Sequence, residues 1–354
     1  MGNDYSQPVN DNSNFPIMVR VEAANRTIAK RNMTTKCLVL TILALWCCKG
    51  VAQTQSYDTD FELSEKKFVI RIPIEIENNQ VYVQLAINGQ QYRFLLDTGA
   101  GQGVIYDDLV FDGVKTLGYT MSRDALGQSH RVKTVEMPPF MIGTLQISGY
   151  KVQVMHRHKV QKGEDGIIGF ALFNKGIAAK IDVRNSEMII TDKKKYFKQE
   201  AGESLDYRLR NFVPVVTVSP FEGMEEDVLF DTGSPFFYAI NSQTFEAMEH
   251  DNPDITEQVE RRTYGSRIKG HYGREPFGRI SMLNLKRLKW GSYAFCNLHC
   301  ATIAGNSHVG AELLKYGAVI INPFKKRLVF QPYNGQDSCV IEKEKRVFPL
   351  HFPR

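Results

Sequence analysis

The chain has 354 residues, of which 43% are hydrophobic and 23% charged, with a formal net charge of +5 at pH 7. This length holds two domains of ordinary size, and the balance excludes a disordered or low-complexity protein. The mild charge includes no long basic run, which argues against nucleic acid as a partner.

Residues 1–32 are polar and lack periodicity, and are read as an over-extended or disordered start. Residues 33–52 read as a signal peptide. Lys36 supplies the positive end, Cys37 to Cys48 form a 12-residue apolar run, and Gly50-Val51-Ala52 offers small residues before a cut at Gln53. The run is shorter than the roughly 20 apolar residues that a membrane span needs. A cytoplasmic tail before a signal anchor is the competing reading. Lipidation fits poorly, because Trp46 precedes Cys47 where a small residue is required. The expected placement is secreted or periplasmic, with no stable membrane span after signal cleavage. Cys296, Cys300 and Cys339 follow the signal. One disulfide and one free thiol are expected among them, with the pairing open.

Phe68 to Ile76 alternates and predicts a strand. Val81 to Ile87 and Gln90 to Leu96, separated by Asn88-Gly89, predict a hairpin that delivers Asp97 at its far end. Gly127 to Lys133 is a polar stretch between strand-like runs. Residues 196–208 are polar and read as a linker, and a second series of strands begins at Phe212-Val213-Pro214-Val215-Val216. Residues 242–263 are charged and predict helix, an insertion without a counterpart in the first half. Tyr264 to Gly273 carries Gly265 and Gly270 and reads as a second segment like Gly127 to Lys133. Val347 to Leu350 interrupts a polar tail and predicts an edge strand.

A repeat unites these elements. Phe94-Leu95-Leu96-Asp97-Thr98-Gly99-Ala100 recurs as Val228-Leu229-Phe230-Asp231-Thr232-Gly233-Ser234. Ile167-Ile168-Gly169 follows the first copy and Val309-Gly310 the second. After each comes a short helix pattern closed by glycine (Gly176, Gly317) and then a hairpin pattern, Ala179 to Ile190 and Ala318 to Phe330. Asp97 lies 72 residues before Gly169, and Asp231 lies 79 before Gly310. Carboxylates in matched settings suggest a facing pair. Two such groups about 3 Å apart cannot both ionise, so they share a proton, and one serves as acid while the other serves as base.

On these motifs the chain resembles the pepsin-like and retropepsin-like aspartic peptidase superfamily. It is most similar to bacterial secreted proteins with two retropepsin-like lobes in one chain. The resemblance covers roughly residues 66 to 333. The separation of 134 residues between the aspartates suits two compact lobes better than the longer lobes of pepsin. It implies a mainly β fold, with two β-barrel lobes related by a pseudo-twofold axis and an active-site cleft between them. The lobes span 66–195 and 206–333, and residues 334–354 form a tail. The internal pseudo-dimer implies a monomer acting on peptides or proteins, with no cofactor and no metal.

By the same resemblance Asp97 and Asp231 are the catalytic dyad of an aspartic endopeptidase, activating a water between them. Thr98 and Thr232 are expected to bond across to the opposite lobe's backbone. Gly99 and Gly233 let backbone approach the carboxylates, and Gly169 and Gly310 pack beneath the catalytic loops. Ser234 is expected to donate to the outer oxygen of Asp231, whereas Ala100 cannot do so for Asp97. That asymmetry makes Asp97 the expected proton holder. Gly127–Lys133 and Tyr264–Gly273 become candidate flaps, the first without the tyrosine found in pepsin-like enzymes.

Other signals are weaker. Gly99 to Gly103 is one residue short of a dinucleotide loop and does not open a helix. His156 and His158 share a strand face without a third metal ligand. Ser307-His308 lacks a nucleophile elbow. The remaining alternative is a secreted binding or interaction protein that kept this fold without catalysis.

Overall fold

A computed structural model describes residues 60–109, 111–157, 163–333 and 339–340, the last pair by backbone alone. The signal peptide, the residues before it, His158 and the edge strand expected at Val347–Leu350 lie outside the described residues.

The chain is mainly β. Val69–Glu77, Gln80–Ile87 and Gln90–Asp97 form an antiparallel meander. Ile70, Ile72 and Ile74 point into the core, while Arg71 and Glu75 face outward. The turns are set by Asn78-Asn79 and Asn88-Gly89. All four have positive φ, between 50° and 81°, as two-residue hairpins require. The expected hairpin that ends at Asp97 is therefore present.

Long-range pairing repeats in the two halves. Gly166–Gly169 runs parallel to Gln90–Asp97 and sets Gly169 beside Asp97. His308–Gly310 runs parallel to Met224–Asp231 and sets Gly310 beside Asp231. Each glycine strand also pairs antiparallel with the strand after its motif, Gly103–Tyr106 or Tyr238–Asn241. That strand in turn pairs parallel with Lys151–Met155 or Tyr293–Ile303.

The repeated hairpins join the halves. Ala178–Asp182 and Glu187–Thr191 pair with each other, as do Gly317–Asn322 and Arg327–Pro332. The two hairpins then pair together, with Ala179 opposite Ile321 and Ile181 opposite Val319. Val69–Glu77 and Glu203–Asp206 flank this shared antiparallel sheet. Within the expected linker, Glu203–Asp206 is thus a strand. Its carbonyls and amides find partners on Arg327–Pro332, which composition alone does not reveal.

The expected helix at 242–263 is shorter. Ser242–Asp251 is helical, and the Asn241 side chain caps it by accepting from the amides of Gln243 and Thr244 at 2.9 and 3.1 Å. A 3₁₀ turn at Pro253–Gln258 follows, and Val259–Gly265 is a strand against Gly278–Trp290. Pro253 stops the helix, because a proline inside it would lose a hydrogen bond and clash with the preceding turn.

Lys115–Arg123 and Ser129–Glu136 form a long hairpin whose tip, residues 124–128, overlaps only the start of the stretch expected to be the first flap, Gly127–Lys133, the rest of which is strand. Lys269–Gly270 and Gly273–Arg274 form a small second hairpin inside the second candidate. The tips meet. The Tyr272 amide donates to Asp124 at 3.1 Å, and the His130 and Tyr272 rings stack at 4.2 Å.

Among the described residues no helix is long and apolar enough to cross a membrane. Cys296 and Cys300 are free thiols, which excludes a disulfide between them. Four residues apart on the strand Tyr293–Ile303, they are roughly 13 Å apart along it, beyond disulfide reach.

Candidate active site

Asp97 and Asp231 each end a strand where the chain turns sharply, and both keep partial solvent access. The turns interlock. The Thr98 hydroxyl donates to the Phe230 carbonyl at 2.6 Å and accepts the Thr232 amide at 3.0 Å. The Thr232 hydroxyl donates to the Leu96 carbonyl at 2.6 Å and accepts the Thr98 amide at 3.0 Å. Both threonines are 0% exposed. Each hydroxyl therefore uses its donor and an acceptor lone pair on the opposite half, leaving no local rotamer freedom.

The glycines allow this approach. A Cβ on Gly233 would lie 2.6 Å from both carboxylate oxygens of Asp97. A Cβ on Gly99 would lie 2.8 Å from Oδ2 of Asp231 and closer still to its other carboxylate atoms. Each aspartate therefore reaches over the other half's glycine. Gly169 and Gly310 play a different part. A Cβ on Gly169 would sit 2.5 Å from the Gln102 carbonyl, and one on Gly310 would sit 2.7 Å from the Ser234 carbonyl. The next residues bond to the same turns, from the Phe170 amide to the Ala100 carbonyl at 2.7 Å and from the Ala311 amide to the Ser234 carbonyl at 2.8 Å.

Asp97 Oδ1 accepts the amides of Gly99 and Ala100 at 2.8 and 3.0 Å, and Asp231 Oδ1 accepts the Gly233 amide at 3.0 Å. Loss of hydration holds the Asp97 carboxyl well above the ordinary carboxylate range. The adjacent Asp231 charge and a hydrogen bond with Asp231 push it further in the same direction, while the two amides pull it back. The arrangement thus favours one proton held by the pair as a unit.

Residues 83–172, which include the first aspartate and Gly169, match the family model described as aspartyl protease. Over these residues the chain is similar to the aspartyl proteases. No curated protein matches it in sequence. Solved structures similar to it include basic 7S globulin from soybean, at 10% identity and a TM-score of 0.47, covering 74% of this chain and 94% of that one. Another is the aspartic proteinase from Irpex lacteus, at 12% identity and a TM-score of 0.46, covering 75% and 97%.

At the site one expected contact is replaced by another. The Ser234 hydroxyl lies 2.8 Å from Nε2 of His308 and makes no hydrogen bond to Asp231. His308 Nδ1 faces the Asn306 carbonyl at 3.0 Å, so Nδ1 carries a proton and donates to it, while Nε2 hydrogen-bonds with the Ser234 hydroxyl. The upward push on the Asp97 carboxyl therefore comes from burial and from Asp231, with no contribution from Ser234. Ser234→Ala is expected to leave the acid limb of a pH–rate profile in place while costing about 1 kcal/mol of stability in denaturant unfolding. A displaced limb would contradict this assignment.

His308 was not expected at the site, yet the repeat carries a signal for it. His308-Val309-Gly310 aligns with Ile167-Ile168-Gly169, so a polar residue replaces an apolar one in a matched strand. The neighbouring Ser307 hydroxyl donates to Glu226, accepts the Asn241 amide at 2.7 Å, and shares that buried carboxylate with the Tyr238 hydroxyl. Burial raises the Glu226 carboxyl despite these two donors. The strand bearing Gly310 is thereby fixed from its other side. Asn79 and Gln80, also unforeseen, donate to the Pro235 and Gly233 carbonyls at 2.8 and 2.5 Å and steady the second turn.

Gly99 to Gly103 forms the first turn and leads into a strand, not a helix. His156 Nδ1 pairs with Asp107 at 2.9 Å.

Proposed function

We propose that this chain is an aspartic endopeptidase. A water between Asp97 and Asp231 attacks the scissile carbonyl of a bound peptide. Asp97, holding the proton, donates to the carbonyl oxygen as Asp231 takes a proton from the water. This division of roles follows the general account of proton-sharing aspartates. The observation that carries the reading is the reciprocal threonine lock. It holds two carboxylates from separate halves against each other in a place with partial access to water.

The organisation proposed with it is a signal peptide at 33–52, catalytic lobes at 66–195 and 206–333, and a monomer working outside the cytoplasm. Incubation of the protein beginning at Gln53 with a diverse peptide library, from acid to neutral pH, tests the function. Internal peptide-bond cleavage read by mass spectrometry is expected. No cleavage at any pH would turn the assignment to a secreted binding protein with the same fold.

A further inference from the structure

The two hairpins that meet at Asp124 and Tyr272 border an open concavity of about 380 Å³, the size of a side-chain or small-ligand site. Its wall comes from three segments: the strand Ser129–Glu136, the end of the strand Lys151–Met155, and the second hairpin. Arg131, Lys133 and Lys269 line it with full positive charges, and His130, His156 and His271 add imidazoles. No carboxylate is among the lining residues.

The nearby acids are engaged. Asp124 accepts the amides of Leu126, Gln128 and Tyr272 at 3.0, 2.9 and 3.1 Å. Asp107 is held by His156 and by the Arg157 amide, at 2.9 and 3.2 Å.

Elsewhere on the described surface several basic side chains are paired. Arg93 pairs with Glu75 and Glu77, Arg157 with Asp108, Lys180 with Glu200, and Arg327 with Asp206. Among the described residues, Arg131, Lys133 and Lys269 form no ion pair, although Arg131 covers the Tyr119 ring at 4.5 Å. Like charges gathered around a concavity repel one another, and an anion entering it relieves that repulsion while gaining hydrogen-bond donors from both hairpins.

We infer that this pocket is a recognition subsite for acidic side chains of a peptide. That such a peptide is a substrate rests on the peptidase reading, whereas its binding rests on the pocket alone. A carboxylate seated there touches residues from both halves of the chain, so an acidic segment would bridge the hairpins that meet above it. Neutral and basic segments gain no such contact.

The test uses the full chain carrying Asp97→Asn, so that binding is read without hydrolysis. Fluorescence anisotropy of labelled oligoglutamate is compared with that of oligoglutamine at low salt. Oligoglutamate is expected to bind at least about tenfold more tightly, and added salt to weaken it, as for any partly exposed charge contact. Lys133→Glu combined with Lys269→Glu is expected to remove that preference, whereas Lys198→Glu, an exposed charge away from the pocket, keeps it. Three results would overturn the inference: equal binding of the two peptides, an unchanged preference in the folded double variant, or a site filled by inorganic phosphate that oligoglutamate does not occupy. Absence of hydrolysis by the unsubstituted chain alongside a preserved preference would count against the dyad and not against the pocket.

Discussion

Asp97→Asn and Asp231→Asn are each expected to lower peptide cleavage by about a thousandfold or more, with folding retained. Asparagine keeps the size of the side chain and its capacity to accept the turn amides of Gly99, Ala100 and Gly233. It cannot share or transfer the proton. The two aspartates act on the same water, so the double variant is expected to be no worse than either single one, as for groups that work as a unit. Residual rates, measured as kcat/KM on the best library peptide, decide the matter. Near-full activity in either variant would mean that only one half carries the chemistry.

The second large effect concerns the lock beneath the dyad. Thr98→Val removes a hydroxyl that serves both the Phe230 carbonyl and the Thr232 amide, and leaves those buried groups unpaired. An unsatisfied buried polar group costs about 1–3 kcal/mol, so a loss of about 3 kcal/mol is expected from Thr98→Val, and the same from Thr232→Val. Valine preserves shape, so the loss reports hydrogen bonding and not a cavity. The two hydroxyls hold one interlocked pair of turns. Once one is gone, the other half of the lock has already loosened, and the double variant is expected to lose less than the sum. Denaturant unfolding of the four proteins measures this. Additive losses would show the turns to be independent. Activity is expected to fall along with stability, because a displacement of about 1 Å between reacting groups can cost on the order of a hundredfold in rate.

The legible part of this architecture was local or repeated. Asn88-Gly89 specifies its own turn, and the apolar run before Asp97 specifies a buried strand end. The second copy of the motif then implied the facing pair, because each half alone presents a single carboxylate. What the chain hides is which distant strand a pattern chooses. The hairpins at 178–191 and 317–332 carry the period of a strand but say nothing about pairing with each other across the halves. The Glu203–Asp206 strand is hidden for the same reason. Its polar residues sit on a sheet edge, where composition resembles a linker.

The sequence conceals the site where two side chains compete for one partner. Ser234 follows an aspartate in sequence, which favours the short-range contact, but His308 arrives through the parallel strand beside Asp231 and takes the hydroxyl. The meeting of the hairpin tips at Asp124 and Tyr272 depends on Gly270. A Cβ there would overlap the Asp124 carboxylate, and no pattern in the surrounding sequence announces that neighbour.

The central claim is that the two halves make one proton-sharing pair. Carboxyl ¹³C NMR of protein labelled at aspartate, titrated with and without Asp231→Asn, tests it most directly. The Asp97 signal is expected to stay protonated well above the ordinary carboxylate range, because of burial and of the neighbouring Asp231, and to move down when that charge is removed. An Asp97 that titrates as an isolated carboxylate, and does so identically in the variant, would contradict the account.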